Sequence, residues 1–406
     1  MELYKKRIKD LFKSHLFISF VGIIFGSLIS VIFFILISKY LNEIYLAKFS
    51  LGLLFFFGIV QLSLIGLEQN IIANSNSINP KILFFDKKII LILLAIFISI
   101  ILCVILFLFK DIFIIPILFQ DIVILNIAII VAVINRTIQA YIQSCSRLYE
   151  NAIINFLRYF GYLIFLIVWL FDNSINILTF FLIGELVALF SVFVIILFKI
   201  PTEYKSKKIT YNLNYSFLGL SQFSYESLFK LDLLTISILG TQQMLITYTI
   251  LSNVIEGMVN FLSVAHPSVN NYMSKFKFNN ITNKDKKLMT YIDKFSIFSL
   301  LAIFPCYFIF HYAVFDTIPE LLFMLMAFLF SMCLIYFRKL FLFFNYFAIN
   351  NLPFYQFMYG IFLITTNMIL NFVLFEIMNI LGILLATFIT YVIAYFFIKK
   401  NIKKYY

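Results

Sequence analysis

Charged residues are scarce in this chain. Only 12% of its 406 residues are Asp, Glu, Lys or Arg, whereas 63% are hydrophobic, and its mean hydropathy is +1.03. Soluble globular domains carry about 25% charged residues, so the composition excludes a water-soluble fold. Apolar runs of about 20 residues recur along the whole length, and each could cross the roughly 30 Å hydrocarbon core of a bilayer. The sequence therefore predicts an all-α polytopic membrane protein.

Cysteine and histidine are also rare. The four cysteines show no paired spacing, so neither a disulfide framework nor a zinc site is indicated. The three histidines are far apart and match no metal-ligand motif, and the chain has no glycine-rich phosphate loop. We therefore expect no metal, no cofactor and no ATP-hydrolysing site. Energy for transport would have to come from an ion gradient, the membrane potential or a partner.

The apolar runs predict twelve transmembrane helices. The first run is too long for a signal-peptide core and has no small-residue cleavage site after it, so we expect it to remain as helix 1. The predicted helices span residues 16–38, 49–73, 88–109, 113–141, 151–171, 176–199, 214–239, 244–268, 291–313, 320–343, 354–375 and 378–398.

Basic residues are distributed unevenly among the predicted loops. With a cytoplasmic N-terminus, only Lys39, Lys48 and Lys110 fall outside, and the other basic loop residues fall inside. Lys and Arg are retained on the cytoplasmic side of membrane proteins, so we expect both termini in the cytoplasm. The net charge of +12 then reflects the topology, and the basic cytoplasmic residues would attract anionic lipid headgroups. Nucleic-acid binding is not indicated.

A basic segment divides the predicted helices into two halves. Residues 201–213 form the predicted cytoplasmic linker between an N-terminal lobe, 1–200, and a C-terminal lobe, 214–406. An even number of helices in each half makes the halves parallel repeats, related by an axis along the membrane normal.

Three stretches carry a resemblance to a known family. They are SKYLNEIYLAKFSLG with LSLIGLEQNIIA, FKLDLLTISILGTQQMLITYTIL followed by His266 and Pro267, and LNFVLFEIMNILGILLATFITYV. They resemble the helix 1 to 2, helix 7 to 8 and helix 11 to 12 patterns of the Wzx-type polysaccharide and O-antigen flippases, of the multidrug/oligosaccharidyl-lipid/polysaccharide exporter superfamily. The stretch GTQQMLITY departs from the family because it lacks the usual acidic residue and second glycine.

The resemblance implies an architecture and a function. Two six-helix lobes would surround a central cavity that opens alternately to each side of the bacterial inner membrane. The substrate would be a polyprenyl-pyrophosphate-linked oligosaccharide, such as an O-antigen or capsule repeat unit, turned from the cytoplasmic to the outer leaflet. H⁺ or Na⁺ would be the coupling ion, and other membrane proteins of polysaccharide assembly would be partners.

Three charged residues, Glu226, Lys230 and Asp232, fall inside predicted helix 7. Counting from residue 214 at about 1.5 Å per residue places Glu226 roughly 18 Å deep. Each such charge costs at least ~2.5 kcal/mol in hydrocarbon, so these side chains should face a cavity. Glu226 and Lys230 are four apart, in the orientation that favours an ion pair, whereas Asp232 needs a different partner, either on helix 8 or in water. The alternatives are a purely structural pair, or a stretch 214–230 that lies along the membrane interface.

These positions supply the candidate sites. Lys230 is the candidate for pyrophosphate binding, and Glu226 and Asp232 are candidates for ion coupling. Glu185 and Glu256 lie at mid-depth in helices 6 and 8, and buried carboxylates can carry protons or, when clustered, bind Na⁺. We therefore expect both to take part in ion coupling.

Arg136 and Arg158 lie nearer the cytoplasmic ends of helices 4 and 5. Long basic side chains at helix ends commonly reach out to lipid phosphates. The alternative is a cationic mouth that admits the pyrophosphate, which makes both arginines candidate substrate-binding residues.

Two other functions compete with flipping. A small-molecule exporter of the same superfamily would have a cavity lined by aromatic residues and lone carboxylates, without cations. A membrane O-antigen polymerase or ligase would need a sizeable external loop for its catalytic residues, and the predicted external loops are all short. We therefore do not expect an enzyme.

Overall fold

The structure is a computed structural model in which the described residues are almost all helical. It describes residues 43–64, 89–144, 148–172, 174–199, 228–263, 311–325 and 353–403, together with shorter helical pieces between 25 and 39, at 67, 68 and 71, and between 297 and 332. In chain order the helices are α1 (Glu43–Ser63), α2 (Ile89–Leu108), α3 (Phe119–Ser144), α4 (Leu148–Phe171), α5 (Thr179–Lys199), α6 (Leu228–Leu239), α7 (Gln242–Ser263), α8 (Pro353–Met378) and α9 (Ile380–Lys403).

Nine of the twelve predicted helices coincide with these helices, and where a predicted end falls on described residues it differs by up to six residues. Most of the first, ninth and tenth predicted helices, the predicted ends at 73, 214 and 268, and the predicted linker 201–213 lie outside the described residues.

The start of helix 4 differs from the prediction, which places it at residue 113. The structure has a 3₁₀ turn at Lys110–Ile112 and begins α3 at Phe119. The segment between them contains Pro116, and the backbone N–H of Leu118 donates to the Asp121 carboxylate at 2.9 Å. An acid three residues inside a helix that accepts from the preceding backbone N–H caps the helix start, so the helix begins later than hydropathy indicated.

Helices α1 to α5 form one packed group. Helix α5 packs against both α3 and α4, while α3 also packs against α1 and α2. Large rings fill the space between them, and the Phe33 ring lies against Phe49, Phe180 and Trp169 with centroid separations of 4.9, 4.7 and 5.7 Å. Buried rings contribute large apolar areas, so this aromatic cluster holds the group together.

Helices α6 to α9 form a second group. Helix α6 packs against α7, α8 and α9, and α8 packs against α9. Asn379 separates α8 from α9 with a φ of 53°, a left-handed conformation that asparagine adopts more readily than most residues. The chain therefore reverses within one residue, and α8 and α9 lie side by side.

The two groups meet through α1, which packs against α6 and α7. A second connection lies at the C-terminal end of α6, where the backbone N–H of Ile114 donates to the backbone carbonyl of Ser237 at 2.9 Å. The charge pattern predicts that this end of α6 faces the outside. The described lobes are therefore joined at that end.

The helices have the length and surface of membrane spans. Five described helices are long and apolar enough to cross a bilayer. Along α2, Leu94, Phe97 and Val104 leave more than half of their surface exposed. A row of exposed large apolar side chains on one helix face is stable against lipid but not against water. The structure is that of an all-α, multi-pass membrane protein.

A buried ion pair fixes one end of the first group. The ammonium of Lys48 in α1 lies 2.7 Å from the Asp121 carboxylate in α3, which also accepts the side-chain amide of Asn176 at 2.7 Å. The Asp121 side chain is fully buried, and that of Lys48 is 14% exposed. One carboxylate therefore ties α1, the start of α3 and the loop before α5 together.

We expect Asp121→Ala to lower the free energy of unfolding by about 3 to 5 kcal/mol, the usual cost of leaving one partner of a buried pair uncompensated. Asp111→Ala removes an exposed carboxylate from the neighbouring turn and is the matched control. The measurement is thermal unfolding of both purified variants in detergent, followed by fluorescence. Equal melting temperatures for the two variants would show that the Asp121 contacts contribute nothing.

Candidate functional site

The second helix group encloses a fully buried carboxylate, that of Asp232 in α6. Its Oδ1 accepts the side-chain amides of Asn367 and Asn371 at 2.9 and 2.8 Å. Its Oδ2 accepts the Thr387 hydroxyl at 2.7 Å and the Tyr248 hydroxyl. Four helices thus supply one polar cluster, and all four partners of the carboxylate are neutral.

The direction of one of these amides is set by its own neighbours. The hydroxyls of Thr387 and Thr390 in α9 each lie 3.2 Å from the Asn367 Oδ1. Because an ionised carboxylate only accepts hydrogen bonds, the amide nitrogen of Asn367 must face Asp232 and its Oδ1 the two hydroxyls. The Oδ1 of Asn371, by contrast, is buried and has no hydrogen-bond partner among the described residues.

The cluster carries an uncompensated negative charge when Asp232 is ionised. None of the described basic side chains forms an ion pair with it, since the ion pairs that they make are Lys48 with Asp121 and Arg158 with Glu185. The four hydrogen-bond donors bring no positive charge, so they do not neutralise an ionised carboxylate.

Carboxylate, amide and hydroxyl oxygens are the ligands of hard cations, and the unpaired Oδ1 of Asn371 adds one more oxygen atom. The residues present therefore fit a bound cation. A proton on Asp232 would neutralise the same charge.

Lys230 lies on another face of the same helix. It is half-buried, and its ammonium lies 5.7 Å from the centroid of the Phe57 ring in α1. This distance is within the range of a cation–π contact, and the ring belongs to the other helix group. Helix α6 therefore turns Asp232 into its own group and Lys230 toward the boundary between the two groups.

A second buried polar cluster lies within α3, α4 and α5. The Arg158 Nε and the Glu185 Oε1 lie 2.9 Å apart, with side chains only 7% and 2% exposed. The Asn135 amide donates to the Glu185 Oε2 and to its backbone carbonyl, both at 2.7 Å. The Arg158 Nη1 donates to the Asn155 side chain at 2.8 Å.

Two glycines allow the close approach that this cluster requires. A Cβ added to Gly161 in α4 would lie 2.9 Å from the Gly184 Cα in α5, and one added to Gly184 would lie 1.9 Å from the Tyr162 ring. The two glycines lie within one helical turn of Arg158 and Glu185. The absence of side chains there lets α4 and α5 approach closely enough for the ion pair.

The structure brings some of the sequence-predicted site residues together. Arg158 and Glu185, expected to act separately in substrate binding and ion coupling, form one ion pair. Glu185 and Asp232 lie in different helix groups and share no hydrogen-bond partner. Glu226 lies outside the described residues, and Glu256 lies on α7, where only the backbone is described.

The sequence reasoning missed most of the partners of Asp232. It looked for one on helix 8, where Tyr248 does lie, but not on helices 11 and 12. A signal was present, because Asn367 and Asn371 are four apart and so share one face of an otherwise apolar helix.

Comparison with known proteins gives the fold but no family. No protein-family model matches the chain, and no curated protein matches it. The chain is similar to the inward-facing and outward-facing structures of a multidrug resistance MATE family transporter of the MOP superfamily. The first has 13% identity and a TM-score of 0.56 over 93% of this chain and 95% of that one. The second has 12% identity and a TM-score of 0.56 over 97% and 96%.

A third similar structure is MATE in complex with MaD5, with 10% identity and a TM-score of 0.58 over 97% of this chain and 96% of that one. At these identities the likeness shows the fold alone. It confirms the prediction of an all-α polytopic membrane protein with two lobes, of which α1 to α5 belong to the first and α6 to α9 to the second.

We expect Gly184→Ala to lower stability by about 1 to 3 kcal/mol, the usual cost of an extra carbon in a packed core, because the Tyr162 ring must move. Gly58→Ala is the matched control, since a Cβ there meets nothing within 4 Å and alanine is the better helix former. Thermal unfolding of the two purified variants in detergent gives the comparison. A Gly184→Ala variant as stable as Gly58→Ala would show that α4 and α5 are not closely packed there.

Proposed function

We propose that this protein is an alternating-access transporter, driven by a cation that binds at Asp232. The observation that carries the proposal is a fully buried carboxylate that is surrounded by neutral donors from three other helices and lacks a described basic partner. A fixed charge in a membrane protein is costly, and a mobile cation removes that cost only while it is bound. The proposal is also supported by the fold, since the similar MATE family transporter was solved in inward-facing and outward-facing conformations.

Helix α6 links the cation cluster to the boundary between the lobes. This helix has 12 residues. Asp232 on it faces α7, α8 and α9, Lys230 faces α1, and Ser237 makes the contact with Ile114. If α6 shifts when Asp232 gains or loses a cation, the contacts of Lys230 with Phe57 and of Ser237 with Ile114 would therefore both change. A ligand shifts an equilibrium only by its differential affinity for the two states, so the cation must bind more tightly in one of them.

The substrate we propose is a lipid-linked oligosaccharide with a pyrophosphate group. Its headgroup cannot cross hydrocarbon unaided, because its charges and hydroxyls would lose water without replacement. The ammonium of Lys230 faces the boundary between the lobes, where it can offset phosphate charge. Outward movement of negative charge also gains about 2.3 kcal/mol per charge per 100 mV of inside-negative potential.

The second candidate is a small-molecule exporter, which is favoured by the similarity to a multidrug resistance transporter. The two candidates differ in the charge of the substrate. A cation at the lobe boundary favours an anionic substrate, whereas a cationic drug would meet repulsion from Lys230. Fluorescent lipid-linked oligosaccharide and a fluorescent cationic drug, each tested in vesicles that contain the protein, distinguish them. We expect transport of the former only.

We expect Na⁺ to stabilise the wild-type protein and to lose this effect in Asp232→Asn. The reason is that asparagine has the same shape but no charge to attract a cation. The measurement is the melting temperature in NaCl and in choline chloride at equal ionic strength, from pH 6 to pH 8. Asp172→Asn, an exposed carboxylate in the loop after α4, is the control.

Two outcomes are informative in this experiment. A melting temperature that rises at lower pH rather than with Na⁺, and that no longer does so in Asp232→Asn, would identify a proton as the coupling ion. Equal Na⁺ stabilisation of wild type and Asp232→Asn would remove this residue from cation binding.

We expect Lys230→Gln to slow oligosaccharide translocation at least tenfold, while Lys230→Arg largely keeps it, because the function requires a positive charge at this position. Charge-assisted hydrogen bonds contribute about 1.5 to 3 kcal/mol, which corresponds to that factor. The measurement is the rate at which a fluorescent lipid-linked oligosaccharide in vesicles becomes accessible to dithionite. Wild-type rates in both variants would exclude Lys230 from the mechanism.

A further inference from the structure

The polar cluster of α3, α4 and α5 contains two described guanidinium groups and one described carboxylate with which either forms an ion pair. Arg136 and Arg158 lie on α3 and α4, and Glu185 on α5 is the carboxylate of this cluster. Glu185 pairs with Arg158, whereas Arg136 has no carboxylate within ion-pair distance among the described residues. Arg136 is nevertheless half-buried. Arginine cannot lose its proton in a protein, so one positive charge lacks a counter-ion among the described residues.

The same cluster contains hydrogen-bond donors without acceptors. The Nε of Arg136, the Nη2 of Arg158 and the Nε2 of Gln139 are buried and have no hydrogen-bond partner among the described residues. Arg158 and Gln139 are only 6% and 5% exposed. Leaving such a donor unpaired costs about 1 to 3 kcal/mol, and more for a charged group. Against these three donors the cluster has one unpaired acceptor, the Oδ1 of Asn135, so the excess of donors points to a missing acceptor.

The three donors lie on neighbouring helices that pack together. Arg136 and Gln139 are three residues apart, on one face of α3. Asn135, the residue before Arg136 on α3, donates to Glu185, which pairs with Arg158, so this part of α3 packs against the ion pair of α4 and α5.

The chemistry of these donors defines the ligand. Guanidinium and amide N–H groups bind an acceptor, and two fixed positive charges require it to be negative. The planar fork of arginine matches the oxygens of phosphate, which it binds through parallel hydrogen bonds. A metal cation is excluded at this position because the guanidinium groups would repel it.

We propose that Arg136, Arg158 and Gln139 form a binding site for a phosphate or pyrophosphate group, with Glu185 as a competing internal anion. When the site is empty, Glu185 and Asn155 take two edges of the Arg158 guanidinium. An incoming oxyanion takes the free Nη2 edge and the unpaired Arg136. Only the source of the anion rests on the proposed function, which would supply it as the headgroup of a lipid-linked substrate.

Direct binding tests the site without transport. The full-length protein in nanodiscs of neutral phosphatidylcholine is titrated, in choline chloride buffer without Na⁺, with inorganic pyrophosphate and with geranylgeranyl pyrophosphate. Geranylgeraniol, which has the chain but no phosphate, is the control ligand. Binding of both pyrophosphates indicates a site that free anions reach, and binding of the lipid alone indicates a headgroup site.

The variants separate a binding role from a structural one. We expect Arg136→Gln to weaken pyrophosphate binding about tenfold to a hundredfold, the factor expected for a charge-assisted hydrogen bond. Lys110→Gln, which removes the same charge from a turn outside the lobe core, should leave binding unchanged. Glu185→Gln should strengthen pyrophosphate binding at least threefold, because it removes the competing charge. If Glu185 had only a structural role, the same substitution would weaken binding.

Three results would overturn the site: no binding of either pyrophosphate, equal affinity in wild type and Arg136→Gln, or weaker binding in Glu185→Gln than in wild type. Arg136→Gln breaks no described contact, so its folding can be verified by an unchanged melting temperature. The binding assay contains neither Na⁺ nor a gradient, so its result does not depend on a cation at Asp232. Failure of this site therefore leaves the cation-driven transport untouched, and failure of transport leaves the binding measurement valid.

Discussion

Compensation of buried charge is the constraint on which this structure depends. Hydrocarbon offers no water, so each ionised group among the helices must find its partners within the protein. The two lobes meet this requirement in different ways. In the first lobe Glu185 has a fixed cation, Arg158, at 2.9 Å. In the second, Asp232 has two amides and two hydroxyls but no described cation.

The polar cluster of each lobe depends on how its helices pack. Gly161 and Gly184 allow α4 and α5 to approach closely, and that approach places Glu185 against Arg158. In the second lobe the tight turn at Asn379 sets α8 beside α9, so that amides from one and hydroxyls from the other converge on α6. Small side chains and a left-handed turn are thus the backbone features that make the polar clusters possible in helices that are otherwise apolar.

The helices could be predicted from the sequence because hydropathy depends only on local composition. The late start of α3 was missed because it depends on Pro116 and on a hydrogen bond from Leu118 to Asp121, two features that a hydropathy window averages away. The polar positions were also visible in the sequence, since Arg158, Glu185 and Asp232 stand out in apolar runs. Their partners were not, because the contact between Asp232 and Asn371 joins residues 139 positions apart and depends on how the helices pack.

The difference between the two carboxylates decides which of them can couple transport to an ion. Glu185 was expected to share this role with Asp232, but a carboxylate that keeps a fixed guanidinium beside it gains little from a second cation, which would also be repelled by Arg158 and Arg136. A carboxylate with neutral partners gains the full neutralisation each time that a cation arrives and loses it each time that the cation leaves. In the proposed mechanism, only such a group gives the cation-bound and cation-free protein clearly different energies. The buried cluster of the first lobe, in which Arg136 has no described carboxylate partner, is suited to an anion, and the cluster around Asp232 in the second lobe is suited to a cation.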